Sequence, residues 1–343
     1  MVTSMKTSSF SSAVCSLATV GLLCGTTSLF AADVSDAAKP FVGRWALTIP
    51  GGGAGWLGVE PQTDGSLKSA VLWGGGSVVP TDETKVDGGA LVVVRKHSEK
   101  KDGKDIVNVE TITAKLDGDK MALATRTVNP EGNEIGKADF TGKKIPDVPP
   151  APDLAKVKFG APIVLLKGND LTGWKALNEG VPNCWSLTDG VLSNRPIGPD
   201  GKNRHGTNLR TVAEFEDFNI KTELRVPAGG NSGIYLRGIY EVQVAETYGR
   251  PVDSHNMGAL YSRITPSVAA EKPAGEWQTI DITLVERHLT VVLNGQKIID
   301  NQPVLGCTGG ALTSDEFKPG PIYLQGDHTE VDYRNMVLTP VVK

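Results

Sequence analysis

Glycine-bearing turns cut this sequence into runs too short for ordinary helices. The tetrads "TDGS", "VDGG" and "PEGN" and the stretch "LDGDK" supply the positive φ that tight reversals need, and they draw on a chain with 40 Gly and 21 Pro. Between them lie runs such as "RWALTI", "LKSAVLW", "ALVVVRK", "IVNVETITAKL" and "KMALATRTV". These alternate apolar and polar residues with the period of a half-buried strand. Few segments long enough for a helix have a 3.6-residue period. The sequence therefore predicts an all-β protein, and its 343 residues suffice for two domains.

Composition narrows the partners. Hydrophobic residues make up 39% and charged residues 22%, which fits a packed globular protein. The formal net charge of −4 argues against nucleic acid, because phosphate binding needs clustered Lys and Arg. Residues 1–32 read as a secretory signal peptide: Lys6, the apolar "AVCSLATVGLLCG", then small residues with cleavage near Ala31 or Ala32. A secreted or periplasmic protein follows, with no membrane attachment after cleavage. Cys15 and Cys24 leave with the leader. Cys184 and Cys307 remain, and an oxidising compartment lets them pair; two buried thiols are the alternative.

Residues 38–145 read as a small antiparallel meander, a barrel or a sandwich. The lone His97 in "RKHSEKK" suggests a solvated residue, and nothing there carries chemistry. Residues 146–160, with Pro146, Pro149, Pro150 and Pro152, read as a stiff extended linker. From residue 161 the pattern is again β, with "FNIKTELRV", "SGIYLRG", "YEVQVAE" and "LVERHLTVVLNGQKI" as strands and hairpins. Many short strands over this length predict a two-sheet jelly-roll sandwich.

One stretch stands apart. In "NSGIYLRGIYEVQVAE", Ile234 and Leu236 point one way and Tyr235 and Arg237 the other; Val242 and Val244 oppose Glu241 and Gln243. A sheet face bearing Tyr, Arg, Glu and Gln is suited to gripping sugars or moving protons.

The ordered set "LLKGNDLTGW", "WSLTDGVL", "NSGIYLRGIYEVQV", "GALY", "GEWQTIDIT", "VVLNGQKI", "GPIYLQGDH" and "VDYRNM" resembles the 3-keto-disaccharide hydrolase family, over about residues 161–343. The resemblance implies a concanavalin A-like jelly roll and action on glycosides whose C3 hydroxyl is oxidised to a ketone. Such a ketone acidifies the C2 proton. A base can then remove it, the C1 substituent can leave by β-elimination, and water can add to complete a net hydrolysis. On this reading Glu241 is the base, and Arg237 and His328 stabilise the enolate or the leaving group. Glu223 shares the face if its strand neighbours that of Glu241. Asn231, Gln243, Gln325 and Asp327 orient hydroxyls, Tyr235 lines the cleft, and Tyr261 and Trp277 are stacking platforms. No cofactor is certain; a divalent cation held by some of Glu241, Asp327 and His328 is the option.

Two other readings compete. "EVQVAE" resembles the acidic signature of jelly-roll endoglucanases, but its middle Asp is Gln243. Glu241 and Glu246 also face opposite sides of a regular strand unless a bulge intervenes. A non-catalytic carbohydrate-binding protein would use the same concave face.

Overall fold

The computed structural model describes residues 34–101 and 104–342. The expected leader lies outside the described residues.

Residues 43–145 form one nine-stranded antiparallel sheet of β1 (Gly43–Thr48), β2 (Ala54–Pro61), β3 (Leu67–Trp73), β4 (Val79–Pro80), β5 (Glu83–Asp87), β6 (Ala90–Lys101), β7 (Lys104–Asp117), β8 (Lys120–Val128) and β9 (Glu134–Ile145). The spatial order is β4-β3-β2-β1-β9-β8-β7-β6-β5. The sheet curls until its edges meet, where Ser69 Oγ bonds the hydroxyls of Thr81 and Thr84 at 2.7 and 2.6 Å. Alternation decides the interior. The pairs Trp45/Leu47, Leu57/Val59, Leu91/Val93, Ile112/Ala114 and Met121/Leu123 are all buried in one cluster. His97 is not simply solvated: it sits beside the buried Arg95–Glu110 pair.

The rest is a sandwich. In chain order its strands are β10 (Ile163–Val164), β11 (Trp174–Ala176), β12 (Trp185–Thr188), β13 (Val191–Asn194), β14 (Leu209–Thr211), β15 (Phe218–Arg225) and β16 (Asn231–Leu236). There follow β17 (Tyr240–Ala245), β18 (Gln278–Val285), β19 (His288–Leu293), β20 (Gln296–Pro303), β21 (Tyr323–Leu324) and β22 (Val331–Pro340). One sheet runs β12-β13-β22-β15-β18-β19-β20, with β10 on β22; the other runs β11-β14-β21-β16-β17. Phe218, Ile220, Leu224, Ile280 and Ile282 of the larger sheet share a core with Ile234, Leu236, Val242, Val244 and Leu324 of the smaller. Each such buried side chain contributes about 1.5–3 kcal/mol of transfer free energy.

The two parts are not merely tethered. Strand β2 is buried on both faces: Leu57 and Val59 point into the curled sheet, while Ala54 and Trp56, with Leu72 and Ile145, belong to the sandwich core. The proline segment is also docked. Arg287 donates to the carbonyls of Pro146 and Asp147, and Asn301 donates to that of Pro152. A buried polar cluster sits in the same seam. The Arg263 guanidinium lies 4.3 Å from the Trp56 ring centroid and donates to Cys307 O at 2.7 Å. Arg287 and Glu316 form a buried pair at 3.5 Å. Burial pushes the Glu316 carboxyl up, against the lowering influence of Arg263, Arg287 and Arg44.

The cysteines do not pair; both are free thiols. Cys307 is buried in the seam beside Gly55 O, and Cys184 lies near Pro182 and Gly206. Burial pushes the Cys307 thiol up to about 12, so it is an inert packing group.

Candidate functional site

The smaller sheet presents one face to the sandwich core; the other, a largely buried polar face partly covered by segment 308–310, is the candidate cleft. In β16 the odd-numbered Asn231, Gly233 and Tyr235 share the cleft face. In β17 their register partners are Ala245, Gln243 and Glu241. Tyr323 of β21 stands opposite Tyr235 on one side and Arg210 on the other. The segment after β17 extends the sheet: Tyr261 N–H donates to Glu241 O and Gln243 N–H to Ala259 O. That pairing sets Tyr261 opposite Glu241 on the same face. One cross-strand row therefore reads Arg210, Tyr323, Tyr235, Glu241, Tyr261.

Glu241 is the one carboxyl in the row. Only 4% of it is exposed, although it lies on the face that alternation assigns to solvent. The cover comes from segment 308–310, with Glu241 N–H donating to Thr308 Oγ1 at 2.9 Å. Its carboxyl lies over Gly233, where a Cβ would fall inside contact distance of Oε1. Burial pushes the carboxyl up to about 8, against opposing influences from the Tyr235 hydroxyl and His328. A group held near that value can both take and return a proton close to neutrality.

The hydrogen bonds at Tyr235 agree. Its hydroxyl oxygen is 2.9 Å from Glu241 Oε2 and 2.7 Å from Gly309 O. One hydroxyl proton cannot serve both acceptors. With Glu241 protonated, the carboxylic O–H donates to the Tyr235 oxygen and Tyr235 donates to Gly309. With Glu241 ionised, Tyr235 turns its proton to the carboxylate. The Tyr235 ring is fixed by stacking on Tyr323, with centroids 4.0 Å apart and planes inclined by 13°. Tyr323 in turn accepts from Asn208 Nδ2 at 3.1 Å.

Asp327 and His328 lie near enough to Glu241 to act on its charge. His328 Nδ1–H donates to Asp327 Oδ1 at 2.7 Å, and this bond raises the His328 pKa above its ordinary value. Asp327 is held below its ordinary value by His328, although burial acts the other way. Beside them, the side-chain oxygens of Asn231 and Gln325 are buried with no hydrogen-bond partner in the protein. Buried acceptors of this kind are suited to incoming hydroxyls.

Three sequence expectations are corrected. Arg237 does not face Glu241. The strand ends at Leu236, Arg237 takes a left-handed φ of 56°, and its guanidinium donates to the carbonyls of Glu316 and Lys318. Glu223 lies on β15 in the other sheet, where Arg334 and Asn335 bind its carboxylate and hold its pKa low. Trp277 is clamped between the guanidinium groups of Arg225 and Arg334, 4.7 and 4.0 Å from its ring centroid. It is a structural wedge on the sheet that does not carry Glu241.

Sequence reasoning missed Tyr323 and Asn208; the cue for Tyr323 was the alternating "PIYLQ" run containing Gln325. No group of three or more His, Cys, Asp or Glu side chains able to hold a metal exists among the described residues. Strand β17 pairs with β16 without a register shift. Glu246 lies beyond its end and accepts from Gly229 N–H, so it forms no carboxylate pair with Glu241. A 730 Å³ groove lined by Pro149, Lys156, Arg237, Arg287 and Phe317 lies apart from this cleft. Its Arg237 guanidinium is already spent on main-chain carbonyls, so the groove offers less chemistry than the smaller sheet.

A 3-keto-disaccharide hydrolase of Bacteroides thetaiotaomicron is 25% identical to this chain over 40% of its length, and the match spans 57% of that relative. Two solved structures from Parabacteroides distasonis, both described as glycosyl hydrolases, align with 53% and 57% of this chain and 94% and 93% of theirs. Their identities are 21% and 28%, with TM-scores of 0.43 and 0.41. The model of the 3-keto-alpha-glucoside-1,2-lyase-like domain matches residues 161–339. That match covers all but the last residue of the sandwich strands and every residue of the Glu241 row, and the chain belongs to this family.

Proposed function

We propose that the cleft acts on 3-keto-glycosides, with Glu241 as the base. The observation that carries this reading is the buried Glu241 carboxyl, raised to about 8 and bound to the Tyr235 hydroxyl. In the first step the Glu241 carboxylate takes the C2 proton, and the C2–H electron pair becomes the C2–C3 double bond of an enolate. When the C3 carbonyl re-forms, that pair moves to C1–C2 and the C1–O bond breaks. The departing oxygen takes a proton from His328, whose protonated form the bond to Asp327 favours. Water then adds across C1–C2, hydroxyl to C1 and proton to C2, giving the free 3-keto sugar. Tyr235 follows the charge on Glu241 by turning its proton, while Asn231 and Gln325 accept from sugar hydroxyls. A secreted or periplasmic setting belongs to the same proposal.

The missing carboxylate pair speaks against an ordinary retaining hydrolase, which needs two acids about 5–5.5 Å apart. The test compares sugar release from a 3-keto-glucoside and from its unoxidised parent, for wild type and Glu241→Gln. Release from the keto substrate alone, reduced at least about a hundredfold in the variant, is the expected result. Its rate should rise with pH towards about 8 as Glu241 ionises and fall again once His328 loses its proton. Release from the parent would make the protein an ordinary glycosidase. Binding of both sugars without turnover would leave a carbohydrate-binding module.

A further inference from the structure

The family match begins at residue 161, yet the cleft is not built from the sandwich alone. The loop after β3, Gly74 to Val78, comes from the N-terminal sheet and lies against the segment that covers Glu241. Gly310 N–H donates to Gly74 O at 2.8 Å. A Cβ on Gly309 would overlap Gly76 O, and one on Gly310 would come within 2.6 Å of the Tyr235 hydroxyl. Main chain therefore packs on main chain at Gly309, the residue whose carbonyl Tyr235 uses. Glycine is required on the sandwich side by space, and at Gly74 and Gly76 by φ values of 73° and 76°.

The next residue is polar and reaches the row itself. Ser77 Oγ is 2.9 Å from His255 Nε2 and 3.5 Å from the Tyr261 hydroxyl. The two rings meet edge to face, with centroids 5.0 Å apart. Val78 N–H donates to Ser262 Oγ, which fixes the loop on the far side. Tyr261 stands opposite Glu241 in the row, so Ser77 and His255 lie one side chain further from the reacting centre. His255 is exposed, while Ser77 and Tyr261 are half-buried. A hydroxyl, an imidazole edge and a phenol at a solvent-open rim match the alternating hydroxyl and C–H surface of a sugar ring.

We propose that Ser77, His255 and Tyr261 form a subsite for the second sugar of a disaccharide, so that the N-terminal sheet selects the glycoside. This rests on the saccharide reading of the Glu241 cleft. The geometry supports it in one further respect. The loop is anchored, because β3 before it and the neighbouring β2 enter the sandwich core through Leu72 and Trp56. A subsite needs walls that do not yield.

The experiment is calorimetric titration on the Glu241→Gln background with a 3-keto-disaccharide and with methyl 3-keto-glucoside. It adds Ser77→Phe, to fill the subsite, and Ser77→Ala, to delete only the hydroxyl. The expected result is that the preference for the disaccharide falls about tenfold with Phe and a few-fold with Ala, at unchanged melting temperature for Ala. An unchanged preference in the folded variants overturns the subsite, even if wild type cleaves the keto substrate. A Ser77-sensitive preference without any cleavage by wild type upholds the subsite and overturns the catalytic reading. No saccharide binding at all overturns both.

Discussion

A carboxyl packed onto Gly233 has little room to move aside. The Gly233→Ala variant keeps an allowed backbone but puts a methyl group against Glu241 Oε1. A displacement near 1 Å costs catalysis roughly a hundredfold. We expect kcat to fall by about that factor while the melting temperature changes little. Equal losses in both would mean that Gly233 serves the fold rather than the base. Glu241 also ties stability to pH. The folded carboxyl titrates at about 8, against an ordinary 4.5. Between those values the folded chain holds a proton that the unfolded chain has released. The stability from this group is complete below the lower value and is lost as pH climbs through the upper one. Glu241→Gln removes the dependence. Its melting temperature should gain on wild type steadily from about pH 5 to about pH 9; a difference flat in pH would mean that Glu241 ionises as an exposed carboxyl does.

At the level of strands, alternation was a sound guide to which way a side chain points and a poor guide to which strands adjoin. It placed Tyr235, Glu241 and Gln243 on one face, and the register agrees. It failed at Arg237 because a left-handed residue ends the period, which only a backbone angle reveals. It failed at Glu223 because β15 pairs with β18 and β22, and such long-range partners leave no mark on local pattern. Trp277 looked like a sugar platform because an aromatic side chain near a strand start is ambiguous without its neighbours. Its two flanking guanidinium groups resolve that. Trp277→Ala should cost about 1–2 kcal/mol of stability, seen as a melting point lower by a few degrees. Turnover of the keto substrate should not change. A selective rise in KM would return Trp277 to the binding surface.

For the molecule as a whole, the shared core makes the N-terminal sheet and the sandwich one cooperative unit. Trp56, Leu72 and Ile145 bury apolar surface that neither part could leave in water. Calorimetry should therefore record a single unfolding transition. Two separable transitions would show that the seam is weaker than its packing suggests. The seam also explains why a glycine loop so far upstream in the chain can stand beside Glu241. Its double-sided strand β2 has one further consequence, which concerns time rather than geometry. A ribosome or export channel delivers Trp56 well before the segment around Cys307 that covers it. At about 5–20 residues per second, that apolar face goes uncovered for something like ten seconds to a minute. The newborn chain thus depends on being shielded during that interval, and its yield should respond to holding chaperones more strongly than the finished fold would suggest.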